Sequence, residues 1–263
     1  MPEPSPQRRR HLPAVVAVAL LTACGSTGTA APDPDDRALR GTVTVFAASS
    51  LSEVLGDIGG QFRRAHPAVT VTFNLGASSA LAQQIVSGAP ADVFAAAAPA
   101  AMDTVTGAGA GAAPPRVFAR NRLEIVVPPG NPGNVRSLPD FARRELTIAL
   151  CEAQVPCGAA SGTALAAAGV TPLPDTLEQD VKAVLSKVRL GEVDAGLVYR
   201  TDVLSAGGAV TGIVFPEADR AVNDYLIAPL SAARNRAAAG AFVDHVLSEE
   251  GRRALGAAGF DTP

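Results

Sequence analysis

Short β-branched segments that run directly into amphipathic helices recur along this chain, and this alternation restricts the fold more than any other feature. Thr42 to Ala47 is the first such strand, and Ser50 with Glu53 fits a capping box at the start of the following helix. That helix has an apolar stripe at helical spacing: Leu51, Val54, Leu55, Ile58 and Phe62. With 263 residues, 48% of them hydrophobic, the chain is long enough for two α/β units.

Hydroxyl residues follow the first two predicted strands. Val69 to Leu75 alternates as a strand should and ends in Gly76 to Ser79, where a second helix begins. At a helix start the backbone N–H groups are unpaired and the dipole points its positive end outward, so a small anion meets ready donors. Adjacent βα units bring such starts to one crevice beyond the strand ends. We therefore expect Ser50 and Ser78 to face an anion; the alternative is that Ser50 only caps its helix.

The first 23 residues are predicted to be a removable export signal. Three arginines precede an apolar run from Leu12 to Leu21 that is too short to span a membrane. The next residues complete the sequence LTAC, which resembles the lipobox of bacterial lipoproteins and implies cleavage before Cys24 and acylation of its thiol. An ordinary signal peptide or an uncleaved anchor is the alternative. Residues 24–40 are rich in Gly, Ser, Thr, Pro and Asp and are expected to form a disordered tether.

Export would leave two cysteines besides the lipid attachment site. Cys151 and Cys157 would then lie in an oxidising compartment, where a disulfide between them is expected. Two free thiols or a metal site are the alternatives. A metal site is disfavoured, because only His66 and His245 follow the cleavage point and neither belongs to a ligand-spaced cluster.

The second half of the chain repeats the alternation. Leu146 to Cys151 is predicted as a strand and Ala159 to Ala168 as a helix. Asp180 is a suitable N-cap for a helix that Gly191 closes, and Val193 to Tyr199 is a strand with a phenol at its carboxyl end. The alternative for Tyr199 is a half-buried aromatic whose hydroxyl bonds to a backbone carbonyl.

Two further strands define the expected lobes. Arg122 to Val127 enters a second lobe, and Asn223 to Leu230 returns to the first. We expect residues 41–121 and 223–263 to form the first lobe and residues 122–222 to form the second.

Six motifs occur in a recognisable order. They are FAASSL at 46–51, GASS at 76–79, GAPADVF at 88–94, VPCG at 155–158, DV at 180–181 and GLVY at 196–199. Together they resemble the molybdate-binding lipoproteins of bacterial ABC transporters, over essentially residues 41–263. The resemblance implies a two-lobed periplasmic binding protein type II fold. Each lobe is a mixed sheet flanked by helices, and the ligand lies in the cleft between them.

The resemblance also implies a ligand set. The hydroxyls of Ser50, Ser78 and Tyr199 and the amides of Cys157 and Val181 would hold molybdate, and also tungstate, as an oxyanion without direct bonds to the metal. Ser49 stands where the family commonly has alanine, so the choice between the two adjacent hydroxyls stays open, with Ser50 favoured. Molybdate near neutral pH is a bare dianion, which needs donors and no acceptors.

The resemblance further implies a transport role. The protein would be a monomer without a cofactor or an enzymatic activity. It would be held on the outer face of the cytoplasmic membrane through Cys24 and deliver its ligand to an ABC permease. After loss of the signal, 19 lysines and arginines remain against 24 aspartates and glutamates, a net charge of −5. Nothing in this balance indicates nucleic acid, which favours a basic face.

Two other functions compete with this interpretation. A receptor for another tetrahedral oxyanion, such as sulfate, would use the same donors. A serine hydrolase is the alternative from a different class, but Gly76 to Ala80 lacks the last glycine of Gly-x-Ser-x-Gly, and no histidine lies in a strand-end loop to act as base.

Overall fold

A computed structural model describes residues 39–263 of the chain. The export signal predicted for residues 1–23, the acylated Cys24 and residues 25–38 of the tether lie outside the described residues. Within residues 39–263 no helix is both long enough and apolar enough to cross a membrane.

The strands of the described residues form two five-stranded sheets. They are β1 (Gly41–Ala48), β2 (Val69–Gly76), β3 (Val93–Ala96), β4 (Arg116–Asn121), β5 (Leu123–Val127), β6 (Ile148–Cys151), β7 (Thr176–Glu178), β8 (Ala195–Tyr199), β9 (Thr211–Ile213) and β10 (Asn223–Pro229). The orders are β2-β1-β3-β10-β4 and β7-β6-β8-β5-β9. In each sheet one strand, β10 or β5, runs antiparallel to both neighbours, while β1 and β6 have parallel neighbours. The predicted mixed sheets are therefore confirmed.

Helices flank both sheets. Within residues 39–263 they are α1 (Ser52–Ala65), α2 (Ser78–Val86), α3 (Pro99–Gly107), α4 (Pro156–Ala167), α5 (Val181–Leu190), α6 (Arg200–Ala206), α7 (Arg236–Leu247) and α8 (Glu249–Ala257). We call the first sheet with α1 to α3, α7 and α8 the first lobe, and the second sheet with α4 to α6 the second lobe. The chain passes from the first sheet to the second at Arg122 and returns between β9 and β10.

The first lobe buries both faces of its sheet. Val45 and Ala47 pack into a core with α1 and α7, whereas Phe46, which points to the opposite face, packs with α2 and α3. The second lobe has one core built from residues 123–221. Separate cores allow each lobe to keep its shape if the two move.

Local sequence signals predict both ends of α5 correctly but not the start of α4. Asp180 caps α5, and Gly191 ends it with a left-handed φ of 70°, as predicted. In contrast, α4 begins at Pro156 instead of Ala159, since proline suits the first position of a helix.

Candidate functional site

The register of β1 and β2 brings two loops of the first lobe together. The strands run parallel with Ala48 opposite Gly76, so both end at the same edge of the sheet. A 3₁₀ turn, Ser49–Leu51, follows β1, and α2 begins at Ser78 just after β2. The serines predicted from the sequence therefore lie at neighbouring strand ends, where α/β sheets bind ligands.

Ser50 does not cap a helix. The first helix starts at Ser52, and no side chain caps it. The Ser50 hydroxyl is buried and lies 2.8 Å from the hydroxyl of Tyr225, while Glu53 pairs with Lys182 at 2.9 Å. The predicted capping box is therefore wrong, because the 3₁₀ turn displaces the helix start and a buried tyrosine hydroxyl requires a partner.

Ser78 is fully buried, and its oxygen has a fixed role. The amide of Ala97, just beyond the end of β3, donates a hydrogen bond of 2.9 Å to Ser78 Oγ. Because an amide N–H can only donate, the serine oxygen accepts here. The Ser78 hydrogen stays available for another partner.

The second lobe contributes the start of α4. A disulfide joins Cys151, the last residue of β6, to Cys157 in the first turn of α4, with an S–S distance of 2.07 Å. Ala159 is the first residue whose amide reaches back along the helix, to the Val155 carbonyl. The earlier Cys157 amide therefore precedes the helical hydrogen-bond ladder and is placed as a donor.

The start of α5 contributes a second amide. The carboxylate of Asp180 accepts hydrogen bonds from the amides of Lys182 at 2.8 Å and Ala183 at 3.1 Å. The Val181 amide precedes both in the first turn and is not taken by the cap. It is therefore the donor that this turn can offer to a ligand.

Tyr199 ends β8 and is 1% exposed. Its hydroxyl is buried and has no hydrogen-bond partner among residues 39–263, so the alternative in which it bonds to a backbone carbonyl is wrong. Burial first, then Tyr225 and Asp202, raises the pKa of Tyr199, so the phenol keeps its hydrogen. An unpaired buried hydroxyl is costly, and a bound acceptor would remove that cost.

Residues from both lobes line one small cavity. The space open to the centre of a water molecule is about 20 Å³, which suits a ligand of few heavy atoms. The lining residues are Ala48, Ser49, Ser50, Gly76, Ala77, Ser78, Ala97, Val155, Pro156, Cys157, Asp180, Val181 and Tyr199. This set includes every binding residue predicted from the sequence and contains no lysine or arginine. Ser49 lines the cavity as well, 8% exposed.

A lysine outside the lining connects the lobes. Lys182 Nζ lies 2.9 Å from a Glu53 oxygen in the first lobe and 2.9 Å from Asp202 Oδ1 in the second, the latter without hydrogen-bond alignment. The other oxygen of Asp202 accepts from the Tyr199 amide at 3.1 Å. Burial raises the pKa of Asp202 to about 6, although Lys182 opposes the shift.

Within residues 39–263 no histidine is placed to act as the base that the hydrolase alternative requires. His66 and His245 both pack against Phe62, with ring centroids 4.6 and 5.5 Å away, and neither lines the cavity. Among the described residues no group of three or more His, Cys, Asp or Glu side chains could hold a metal ion.

Sequence reasoning missed the buried polar residues behind the cavity. Asn121 Nδ2 donates to Thr201 Oγ1 at 2.8 Å and to the Tyr225 hydroxyl at 3.5 Å. Tyr225 lies in a strand that was predicted, but nothing local indicates that its hydroxyl meets Ser50. Asn121 ends β4, a strand whose sequence RVFARN has no clean alternation.

The chain is similar to known proteins in sequence and in fold. Residues 43–261 match the family of bacterial extracellular solute-binding proteins. The chain is 42% identical over 252 residues to the molybdate-binding protein ModA of Mycobacterium bovis, covering 96% of this chain and 97% of that protein. The periplasmic molybdate-binding protein of Azotobacter vinelandii superposes with a TM-score of 0.74 at 21% identity, over 84% of this chain and 99% of that one. The sulfate-binding protein SubI of Mycobacterium tuberculosis superposes with a TM-score of 0.72 at 16% identity, over 84% of this chain and 86% of that one.

The two structural matches show the fold alone, and they confirm the predicted two-lobed periplasmic binding protein architecture. The family match covers almost all of the described residues, and the Mycobacterium bovis relative aligns over nearly the whole chain. The family match and this relative confirm the resemblance that the six motifs indicated. The chain belongs to the family of bacterial extracellular solute-binding proteins.

Proposed function

We propose that this protein captures molybdate, and equally tungstate, outside the cytoplasm and delivers it to an ABC permease. The observation that carries the proposal is the cavity of about 20 Å³, in which buried hydroxyls and helix-start amides from both lobes converge without a lysine or arginine. The 42% identity to a molybdate-binding protein supports the choice of oxyanion.

The proposed contacts are five. Ser50, Ser78 and Tyr199 donate their hydroxyl hydrogens, and Cys157 and Val181 donate their amide hydrogens. Hydroxyl groups and amides of this kind stabilise a dianion through local dipoles, so the net negative charge of the chain is no obstacle. The protein makes no direct bond to the metal.

Export and anchoring extend the proposal to the start of the chain. We propose that residues 1–23 are removed and that Cys24 is acylated, which would keep the receptor beside the permease on the outer face of the cytoplasmic membrane. The support is the LTAC sequence that ends at Cys24. No catalytic step and no cofactor are part of this function.

Calorimetric titration of the full chain with molybdate, tungstate, sulfate and hydrogen phosphate tests the proposal. We expect molybdate and tungstate to bind comparably, because their size, charge and geometry nearly agree. Hydrogen phosphate carries a proton that meets only donors, a mismatch that costs about 1 to 3 kcal/mol. Asp180 is the one carboxylate of the lining, and its Oδ1 accepts both amide hydrogen bonds of the α5 cap. Phosphate binding as tight as molybdate binding would contradict the donors-only site.

Sulfate is the second candidate ligand, because the fold is shared with a sulfate-binding protein. Sulfate is also a bare dianion, but its shorter bonds place the oxygens closer together. In a cleft sized for molybdate it cannot reach all five donors at once. Tighter binding of sulfate than of molybdate in the same titrations would favour this candidate.

A further inference from the structure

Tyr225 is a fully buried tyrosine whose hydroxyl contacts the proposed site. Its ring in β10 lies among those of Phe118, Tyr199 and Phe260, at centroid distances of 6.3, 6.1 and 5.3 Å. Its Oη is 2.8 Å from Ser50 Oγ, and either hydroxyl could donate. The direction of this bond decides whether Ser50 keeps its hydrogen for a ligand.

Asn121 determines that direction. Its Oδ1 accepts a hydrogen bond from the Arg122 amide at 3.0 Å, which fixes the orientation of the side-chain amide. Its Nδ2 therefore points the other way, toward Thr201 and, at 3.5 Å, the hydroxyl oxygen of Tyr225. An NH₂ group only donates, so the Tyr225 oxygen accepts from it, and Ser50 Oγ at 2.8 Å is the partner left for the buried phenol hydrogen.

We infer that Asn121 and Tyr225 are positioning residues, forming a one-way hydrogen-bond chain to Ser50 that turns the Ser50 hydrogen toward the bound oxyanion. The inference rests on the proposed function, since it assigns the direction of a contact within the same site. Ser78 is held in the same sense, because the Ala97 amide donates to its oxygen at 2.9 Å. Both serines thus accept on the protein side and donate on the ligand side.

The chain of hydrogen bonds gives the site a basis for selectivity. A serine hydroxyl that is free to rotate can donate to a bare oxygen or accept from a protonated one. At Ser50 the Tyr225 hydrogen takes one of the two lone pairs of the oxygen, so the Ser50 hydrogen cannot point at Tyr225 and is left for a ligand. Burial raises the pKa of Tyr225, so the Tyr225 hydrogen is present at neutral pH. With one lone pair taken, Ser50 favours a ligand oxygen that accepts a hydrogen over one that carries a proton, as in hydrogen phosphate.

Tyr225→Phe removes the hydroxyl and keeps the ring, and it tests the inference in the full chain. We expect molybdate affinity to fall roughly 10-fold, since Ser50 is no longer oriented. We also expect the ratio of molybdate to phosphate affinity to decrease, because both lone pairs of the Ser50 oxygen are then free to accept from a protonated oxygen. A purely structural role would lower the melting temperature without changing that ratio. On a Ser50→Ala background, Tyr225→Phe should cause no further loss of affinity.

The outcomes separate the two proposals. If wild-type protein binds molybdate and the folded Tyr225→Phe variant keeps both its affinity and its selectivity, the positioning role is overturned and the proposed function stands. If the wild type binds none of the four oxyanions, both the proposed function and the positioning role are overturned. Should the variant not fold, neutron diffraction of deuterated wild-type crystals decides. A deuteron on Tyr225 directed at Ser50 supports the inference, and one on Ser50 directed at Tyr225 overturns it.

Discussion

Ser78 combines two hydrogen-bonding roles in one hydroxyl group. Its oxygen accepts from the Ala97 amide, and its hydrogen is proposed to bind the oxyanion. Ser78→Ala should remove a charge-assisted hydrogen bond worth about 1.5 to 3 kcal/mol, a loss of roughly 10 to 150-fold in affinity. It also leaves a buried amide unpaired, which should lower the free energy of unfolding by about 1 to 3 kcal/mol. Calorimetry and urea unfolding measure the two effects separately.

The neighbouring serine supplies a matched control. Ser79 is half-buried and borders a different pocket, so Ser79→Ala should bind molybdate like the wild type. A Ser78→Ala variant that loses stability but keeps wild-type affinity would show that the hydroxyl serves only the fold.

Asp202 makes stability depend on pH. Burial raises its pKa from 3.8 to about 6. A carboxyl with a higher pKa in the folded state binds its proton more tightly there, so its contribution to the free energy of unfolding increases as the pH falls through 6. Between about pH 7 and about pH 5 this amounts to about 1 kcal/mol.

Asp202→Asn isolates this effect, because the amide oxygen can still accept from Tyr199 but binds no proton. When the pH is lowered from about 7 to about 5, we expect the free energy of unfolding of the wild type to increase by about 1 kcal/mol relative to that of the variant. Urea unfolding at the two pH values measures this difference. The other carboxyl groups cancel in the comparison. If the difference in the free energy of unfolding between the wild type and Asp202→Asn does not vary with pH, the pKa of Asp202 is not raised.

At the scale of elements, the sequence predicts what is determined locally. The start and end of α5 follow from Asp180 and Gly191, whose effects reach only a few residues. β4 was not predicted, because its sequence RVFARN has no clean alternation and its strand partner is β10, about a hundred residues later. The 3₁₀ turn at Ser49–Leu51 was also missed, since the tertiary bond from Ser50 to Tyr225 holds it in place.

The same distinction explains the site. Ser50 and Ser78 were expected from the sequence because each stands at a strand end, next to a helix start, whereas the proposed role of Tyr199 came from the resemblance to the family. The partner of Ser50 could not be predicted, since 175 residues separate it from Tyr225. Ligand-binding residues at helix starts can be recognised from the neighbouring sequence. The residues that orient them are distant in the sequence and come into contact only in the folded structure.

The disulfide at the start of α4 is expected to support both stability and binding. Cys151 and Cys157 are six residues apart, and closing so short a loop contributes about 2 kcal/mol in the chain-entropy account. Reduction should therefore lower the melting temperature by about 4 to 8 °C. It should also weaken molybdate binding, because the bridge holds the turn that presents the Cys157 amide.

Calorimetry and thermal unfolding with and without reductant test this prediction. The double variant Cys151→Ser, Cys157→Ser is the control, since reductant should not change its behaviour. Equal affinity in the oxidised and reduced wild type would show that α4 presents the amide without help from the bridge.

For the whole molecule, the ion pair between Glu53 and Lys182 links α1 of the first lobe to α5 of the second. The glutamate side chain is 54% exposed, so the pair is worth about 0.2 to 1 kcal/mol. If the pair forms only when the lobes meet, Glu53→Gln should weaken molybdate binding by no more than about 5-fold. Asp57→Asn on the same helix is the control, since Asp57 forms no ion pair within residues 39–263. An equal effect of both variants would contradict a specific link.

Binding is expected to bring the lobes together, because neither lobe holds the complete donor set. Ser50 and Ser78 belong to the first lobe, and Cys157, Val181 and Tyr199 belong to the second. The dianion loses its water only when the donors of both lobes contact it. The ligand therefore binds more tightly to the closed arrangement of the lobes than to the open one, and stabilises it. We expect small-angle X-ray scattering to give a smaller radius of gyration with saturating molybdate than with sodium chloride at equal ionic strength. Ser78→Ala at the same molybdate concentration should show less of the compact form, since its affinity is reduced. Superimposable scattering curves for the free and the calorimetrically saturated wild type would mean that the donors of both lobes are already assembled before the oxyanion arrives.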